Sequence, residues 1–331
     1  MTNSIHLEKP MLRLLTRKSI VMLVSLSLMT GALASLGGCK STAVKTYAVK
    51  KWEDVQSTID NAKSNDIIDL SKLTTPAEQC TMVFPQAFNC TVIGNPDEVF
   101  LGLAIVCPGE NSLTIENLRI ASTGNQASST IQFSSWGNQL VLQGVNEVTN
   151  AQAPEELGCG AAIGVPEGAT LTFSGTGYLK ATGGSGAAGI GGGRGITAGT
   201  IVVREGNITA LGGNTDYESN GAGIGGGAHG KGGSVTISGG TVTAIGGFGS
   251  AGIGGGYNAD GGSITISGGD VTAISNANSE AQAINCSLEA LPGSYTWWAG
   301  GSDAAGLAEG KSFPEEAFSN NANYKYVRIK A

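Results

Sequence analysis

Residues 222–245 read AGIGGGAHGKGGSVTISGGTVTAI, and residues 251–274 read AGIGGGYNADGGSITISGGDVTAI. An earlier copy starts at Ala188, so the equivalent alanines at 188, 222 and 251 are separated by 34 and then 29 residues. Each copy contains a glycine block, a strand-like segment and a second short segment that includes Thr-Ala. A period of about 30 residues is typical of proteins that stack one small unit on the next.

Apolar and hydroxyl residues alternate within the strand-like segments. Val235 and Ile237 fall on one face of a strand, whereas Thr236 and Ser238 fall on the other. A unit of this length cannot bury its apolar face alone, so we expect the units to stack with equivalent residues in columns. When fainter upstream copies are included, two inward columns are predicted: Leu113, Leu140, Leu171, Ile201, Val235 and Ile264, and Ile115, Leu142, Phe173, Val203, Ile237 and Ile266.

The repeats predict an all-β fold, a right-handed, single-stranded parallel β-helix over residues 51–331, with the clearest repeats at about 160–275. Apolar residues at helical spacing in 52–62 predict a short amphipathic helix that caps the first coil. Residues from about 286 to 331 depart from the repeat and end in a strand-like segment, so we expect them to cap the last coil.

The composition excludes several other fold classes. Glycine accounts for 53 of the 331 residues and proline for 9, without the strict third-residue glycine of collagen. Charged residues make up 14% and aromatic residues 6%, which argues against coiled coils and most helical bundles. Hydrophobic residues make up 40%, which is enough for a packed core and argues against disorder.

The N-terminal segment has the features of an export signal. Three basic residues precede an apolar run at about 20–33 that is too short for a membrane-spanning helix. The run is followed by Leu36-Gly-Gly-Cys39, which resembles the lipobox of bacterial lipoproteins. The resemblance implies cleavage before Cys39 and acylation of its thiol and amino group, which would anchor the exported protein to the bacterial cell envelope. The alternative is an ordinary cleaved signal in which Cys39 has no role.

On this interpretation residues 1–38 are a signal peptide, which starts at Met1 or at Met11, and residues 39–50 are a tether. The signal holds four of the 19 basic and one of the 26 acidic residues, which leaves 15 basic and 25 acidic residues and a formal charge of −10. An acidic chain is a poor partner for nucleic acid, whose phosphates attract basic surfaces. We therefore predict no nucleic-acid partner, and contact with a membrane through the lipid anchor only.

Five cysteines follow Cys39, and this odd number leaves at least one thiol unpaired within the chain. Cys80 and Cys90 are the predicted disulfide pair. No CxxC spacing occurs in the sequence, so zinc and redox sites lack support. The five cysteines that follow Cys39 are Cys80, Cys90, Cys107, Cys159 and Cys286.

The AGIGGG and ITISGG repeats, with the Tyr-Thr-Trp and Tyr-Lys-Tyr-Val segments of the tail, resemble the glycine-rich β-helix repeats of exported bacterial surface lipoproteins. The strong resemblance covers about residues 160–330. Some members of that group are pectate-lyase-like and carbohydrate-binding. The resemblance therefore implies a carbohydrate-binding surface protein. Because a coil face would present Thr, Ser, Asn and aromatic side chains at regular spacing, we predict that it binds an extended polysaccharide, or another repeating polymer, without catalysis. The resemblance implies no particular ligand residues, because the repeated residues are those that build coils.

Aromatic residues beside the glycine blocks are the candidate ligand residues, since exposed aromatic faces stack on sugar rings. Tyr217, Phe248 and Tyr257 lie in the turns beside the blocks, and Trp297 and Trp298 lie in the tail. The alternative for the two tryptophans is that they cover the last coil.

Calcium is the one cofactor for which the sequence offers ligands, and no other cofactor is predicted. Asp216, Asp260 and Asp270 fall near equivalent faces of successive repeats and are the candidate metal ligands. The alternative is that these aspartates are simply solvated, as isolated acidic residues in exposed turns usually are.

Two rival functions remain open: a structural or adhesive stalk that contacts protein or a host surface, and an atypical polysaccharide lyase. Asn214-Thr-Asp216, Ala228-His-Gly230 and Arg328-Ile-Lys330 resemble three short motifs of polygalacturonases. That chemistry needs carboxylates on neighbouring coils, and the sequence contains no Asp-Asp pair. We therefore expect no hydrolase and assign no catalytic residue.

Replacing Cys39 with Ser removes the thiol that would carry the lipid. We expect the wild-type protein to enter the detergent phase of a Triton X-114 extract of cells, and Cys39→Ser to remain in the aqueous phase. Cys80→Ser leaves the lipobox-like segment intact and should behave like the wild type. Detergent-phase partition of Cys39→Ser would refute lipidation.

Overall fold

The structure is a computed structural model that describes residues 43–76, 78–123, 128–151, 159–214, 220–275, 281–288, 296–300, 311–312 and 324–330. All of its strands belong to one unit, Val44–Ala331. The predicted signal peptide and Cys39 lie outside the described residues, as do Asp216 and Tyr217. None of the helices within the described ranges is long and apolar enough to cross a membrane.

The regular secondary structure of the described residues is almost entirely β-strand, with one α-helix near the N-terminal end. A turn of 3-10 helix (Trp52–Asp54) leads into this helix, α1 (Val55–Asn61). In chain order, the strands are β1 (Thr46–Ala48), β2 (Ile67–Asp69), β3 (Cys80–Val83), β4 (Asn89–Ile93), β5 (Phe100–Leu101), β6 (Leu103–Cys107), β7 (Ser112–Glu116), β8 (Arg119–Ala121), β9 (Ile131–Phe133), β10 (Asn138–Gln143), β11 (Val145–Thr149), β12 (Ile163–Gly164), β13 (Thr170–Ser174), β14 (Tyr178–Thr182), β15 (Ile190–Gly191), β16 (Thr200–Val203), β17 (Asn207–Leu211), β18 (Ile224–Gly225), β19 (Ser234–Ile245), β20 (Ile253–Gly254), β21 (Ser263–Ile274), β22 (Ser287–Leu288), β23 (Thr296–Gly300), β24 (Lys311–Ser312) and β25 (Tyr326–Lys330).

Most of the strands stack in three columns of parallel pairs. Column A contains β1, β2, β4, β7, β10, β13, β16, the first halves of β19 and β21, and β22. Column B contains β5, β8, β11, β14, β17 and the second halves of β19 and β21. Column C contains β3, β6, β9, β12, β15, β18 and β20. From β4 to β22 the chain visits A, B and C in turn, which confirms the predicted parallel β-helix.

Column C is narrow where the glycine blocks build it, because each block supplies only two strand residues. The glycines that end β15, β18 and β20 have φ angles of 133°, 135° and 138°, which residues with a Cβ rarely adopt. A Cβ at Gly191 would overlap the carbonyl oxygen of Gly225, and one at Gly225 would overlap that of Gly254. The isoleucines that precede these glycines pair in register and are fully buried: Ile190, Ile224 and Ile253.

The predicted inward columns are wrong at one step. Leu113 pairs with Leu140 as predicted, but Leu140 then pairs with Phe173 rather than with Leu171. Leu171 pairs instead with Asn138, which is buried and donates from Nδ2 to the Ser135 carbonyl oxygen at 2.6 Å. The side chains of a strand alternate with a period of two, so a shift of two residues keeps the same residues inward and leaves no trace in the pattern.

Helix α1 closes the N-terminal end of column C. The helix contacts β3, the first strand of that column, and buries Val55 and Ile59 completely. In the first coil α1 therefore stands where later coils have a column C strand, which confirms the predicted capping helix.

Part of the predicted tether belongs to the β-helix. Strand β1 forms parallel pairs with β2, and Val49 is buried in the core. The prediction of a tether over residues 39–50 is therefore wrong at its C-terminal end. Two of the three β1 side chains are exposed, so the polar composition of the segment does not reveal pairing that is made by main-chain groups.

Antiparallel strands close the C-terminal end of column B. Strand β25 runs antiparallel to the second half of β21, and β23 runs antiparallel to β25. Val327 and Ile329 of β25 are buried, which confirms the predicted capping strand. Trp297 and Trp298 lie on β23, and their side chains fall outside the described part of the chain.

The predicted Cys80–Cys90 disulfide is not formed, and all five cysteines of the described residues are unpaired. Cys80 lies on β3 in column C, whereas Cys90 lies on β4 in column A, where it pairs with Leu113. Burial raises the pKa of the Cys90 thiol, and that of Cys286, to about 12. Both thiols are therefore protonated near neutral pH and act as packing groups.

Ile237 and Thr236 are neighbours on β19. Ile237 faces inward and Thr236 faces outward. Ile237 is fully buried and is paired with Val203 and Ile266 of the adjoining coils. We expect Ile237→Asp to lower the free energy of unfolding by more than about 3 kcal/mol, because it buries an unpaired charge in the stack. Thr236→Asp should lower it by less than about 1 kcal/mol. Chemical unfolding followed by circular dichroism measures both, and equal losses would contradict the inward assignment of Ile237.

Candidate functional site

The residues beside the last glycine block line a cavity of about 320 Å³, which we call the end cavity. It lies at the C-terminal end of column C, where β20 is followed by a bridge from Ile253 to Ile284. Part of its wall is glycine, and three polar side chains contribute hydrogen-bonding groups. The lining residues are Gly249, Ala251, Gly255, Gly256, Asn258, Ala259, Asp260, Ala281 and Asn285.

Tyr257 stands next to the end cavity, directly after the glycine block. Its main-chain N–H donates to the Asn220 carbonyl oxygen at 2.9 Å, and its own carbonyl oxygen accepts from the His229 N–H at 2.8 Å. The Tyr257 and His229 rings form a T-shaped pair with centroids 5.8 Å apart and an interplanar angle of 82°. The Tyr257 side chain is half-buried, so the ring is fixed in place while part of it meets solvent.

Phe248 reaches the same place from the turn before β20. Asn220 connects this turn to Tyr257: its Nδ2 donates to the Phe248 carbonyl oxygen at 3.2 Å, while its own carbonyl accepts from Tyr257. Gly249, which follows Phe248, lies so close to the Tyr257 ring that a Cβ would be 2.5 Å from Cδ2. The structure thus brings the turns of Phe248 and Tyr257 together beside the end cavity.

Asn220 is the residue of this site that sequence reasoning missed. It is fully buried, and its main-chain carbonyl also accepts from the Ser250 Oγ at 2.5 Å. Asparagine is a common turn residue, so the sequence alone does not show whether an asparagine forms a turn itself or bonds two other turns together.

The predicted calcium ligands in the described residues are each paired with a basic side chain. Arg328 donates two hydrogen bonds to the Asp270 carboxylate, one from Nε at 2.8 Å and one from Nη2 at 2.6 Å. These bonds lower the pKa of the Asp270 carboxyl. Asp260 forms an ion pair of 3.3 Å with Lys231, in which both side chains are exposed. Within the described ranges, no group of three or more His, Cys, Asp and Glu side chains is placed to hold a metal ion.

Two of the residues that resemble polygalacturonase motifs, His229 and Arg328, lie on different parts of the coil. His229 is exposed in the turn between columns C and A, whereas Arg328 lies on β25 beside column B. Arg328 is bonded to Asp270 on column B, whereas His229 packs against Tyr257, so His229 and Arg328 have different surroundings.

Among the described residues, other cavities lie away from the end cavity. One of about 930 Å³ lies at the N-terminal cap and is lined by Trp52 and Lys72 among others. Another, of about 250 Å³, lies on the outward side of column B, beside Arg119, Glu147 and Lys180. Sequence reasoning did not single out these three charged residues. An alignment of the repeats could have found them, because these charged residues occupy the position in the coil where later repeats have threonine.

A family model described as Beta helix repeat matches residues 235–257 and 264–281. The chain is a parallel β-helix repeat protein. The matched ranges contain nearly all of β19 and β21 together with the last glycine block, so they concern the coil itself rather than a ligand. No curated protein and no solved structure shows significant similarity to the chain.

Proposed function

We propose that the protein is exported, is anchored by lipid on Cys39 to the bacterial cell envelope, and binds an extended polysaccharide on its β-helix without catalysis. The lipobox-like segment supports the anchoring. The end cavity and the aromatic residues beside it support the binding.

The observation that carries this proposal is the meeting of the Phe248 and Tyr257 turns beside the end cavity. Sugar rings are recognised by an aromatic face together with a few oriented polar groups. Tyr257 is held by main-chain hydrogen bonds on both sides and by the His229 ring, so little ordering is needed when a ligand binds. Amide and carboxylate groups that can bond sugar hydroxyls line the cavity, on Asn258, Asp260 and Asn285.

The repeating coils suit a polymeric ligand. Neighbouring strands of a sheet lie about 4.8 Å apart, and their register places hydroxyl side chains in rows along the outward faces. One row in column B contains Thr209, Thr243 and Thr272. A polymer that lies along such rows contacts several coils at once, so that weak individual contacts add up.

A structural or adhesive stalk is the second candidate, and one observation favours it. Strands β19 and β21 carry threonine and serine on their outward faces and contain no aromatic residue. Such a surface builds a rod without recognising a sugar ring. Retention on polysaccharides separates the two candidates, because a stalk that contacts protein needs no such binding.

Tyr257→Ala and Phe248→Ala remove the aromatic faces beside the end cavity. In affinity electrophoresis across neutral and acidic polysaccharides, we expect at least one polymer to retain the wild-type protein. Each variant should bind that polymer about tenfold more weakly, which corresponds to about 1.4 kcal/mol of lost stacking.

Tyr47→Ala is the matched control, since Tyr47 is a half-buried tyrosine on β1, at the other end of the chain. It should be retained like the wild type. If the Tyr257 and Phe248 variants are retained as strongly as the wild type, the end cavity is not the polysaccharide-binding site. A wild-type protein that no polysaccharide retains would contradict the proposed function and favour the stalk.

A further inference from the structure

Three charged side chains form a ladder across successive coils on the outward side of column B. Glu147 on β11 pairs in register with Arg119 on β8 and with Lys180 on β14. The Glu147 Oε2 lies 3.0 Å from the Arg119 Nη2, and its Oε1 lies 3.2 Å from the Lys180 Nζ. Arg119 also donates from Nη1 to the Pro96 carbonyl oxygen at 3.3 Å. One carboxylate is therefore shared between two fixed cations.

An apolar pair stands beside this ladder. Val145 and Tyr178 are paired in register, each two residues before a member of the ladder on the same outward face. Val145 is 56% exposed and Tyr178 is half-buried, so the pair presents apolar surface to solvent. With Pro96 these residues line the cavity of about 250 Å³, which we call the column B groove.

The column B groove keeps an uncompensated positive charge. Glu147 is the only carboxylate among its lining residues, against two basic side chains. The hydrogen bond from Arg119 lowers the pKa of Glu147, so the carboxylate stays ionised at neutral pH and the balance of one positive charge persists. This balance contrasts with the acidic charge of the whole sequence, −7.

The coil does not require charge at these positions. Lys180 pairs with Thr209 of the next coil, and Thr209 pairs with Thr243 of the coil after it. The same column is therefore built with uncharged residues further along. The three side chains are half-buried, and ion pairs that water still reaches contribute little to stability, so a structural role alone does not explain why charge is placed here.

We propose that the column B groove binds an acidic sugar residue, one that carries a carboxylate. Arg119 and Lys180 supply the cations for the carboxylate, Glu147 accepts hydrogen bonds from ring hydroxyls, and Val145 and Tyr178 take the C–H face of the ring. The groove lies on column B, whereas the end cavity lies at the end of column C. The proposal therefore does not depend on polysaccharide binding at the end cavity.

Methyl β-D-glucuronide and methyl β-D-glucoside test this proposal, since they differ only in a carboxylate against a hydroxymethyl group. Each is titrated into the purified protein and followed by NMR. We expect the glucuronide to bind at least about tenfold more tightly than the glucoside, and raised salt to weaken it. Lys180→Gln should weaken glucuronide binding by about tenfold.

Lys231→Gln is the matched control, because Lys231 is likewise ion-paired but lies on another part of the coil. It should leave glucuronide binding unchanged, as should Tyr257→Ala, which tests the end cavity separately. Val145→Asp places a second carboxylate in the groove at an exposed position and should abolish glucuronide binding while circular dichroism remains that of the wild type.

Three results would overturn the proposal. They are equal affinity for the two glycosides, unchanged glucuronide binding by Lys180→Gln and Val145→Asp, and the absence of glucuronide binding up to the solubility of the probe.

Discussion

The close approach of glycine main chains between successive coils of column C is the contact on which the repeats from β15 to β20 depend. At Gly225 the φ angle is 135°, and the carbonyl oxygen of Gly254 in the next coil fills the space that a Cβ would need. The same contact joins Gly191 to Gly225 one coil earlier. It brings the coils together at the narrowest column and sets the isoleucines in register, so that the strands that follow start level with their neighbours. Which residues face inward and which face outward follows from that register.

Both proposed binding sites arise from this stacking rather than from contiguous sequence. The end cavity has Tyr257 and Phe248 at its side because Asn220, from the preceding coil, bonds to the turns before and after β20. The column B groove joins residues 28 and 33 positions apart in the chain. The aromatic residues can be picked out from the sequence, because aromatic residues are scarce and these two lie beside glycine blocks. The charged ladder cannot be picked out without the register of the upstream coils, where the repeat is faint.

The coil architecture is predictable from the sequence because the glycine blocks and alternating segments impose it again at every repeat. The caps are predictable too, since a helical period at 52–62 and a break in the repeat near 286 are visible in the residues. The pairing of Leu140 with Phe173 rather than Leu171 is not predictable. A register shift of two residues leaves the alternation of inward and outward side chains unchanged. Strand β1 is also hidden, since main-chain groups common to all residues make its pairing. The separation of Cys80 from Cys90 depends on the column that each strand joins, which cysteine spacing does not reveal.

The most direct test of the glycine contact is the free energy of unfolding of Gly225→Ala compared with that of Gly195→Ala. Both glycines have positive φ, 135° and 74°, but a Cβ at Gly195 would meet no atom within 4 Å. If the coils depend on this contact, Gly225→Ala should lower the free energy of unfolding by at least about 2 kcal/mol more than Gly195→Ala does. Both variants place a Cβ on a main chain with positive φ, but only the Cβ at position 225 must also push two coils apart. Equal losses in the two variants would show that the coils do not depend on this contact.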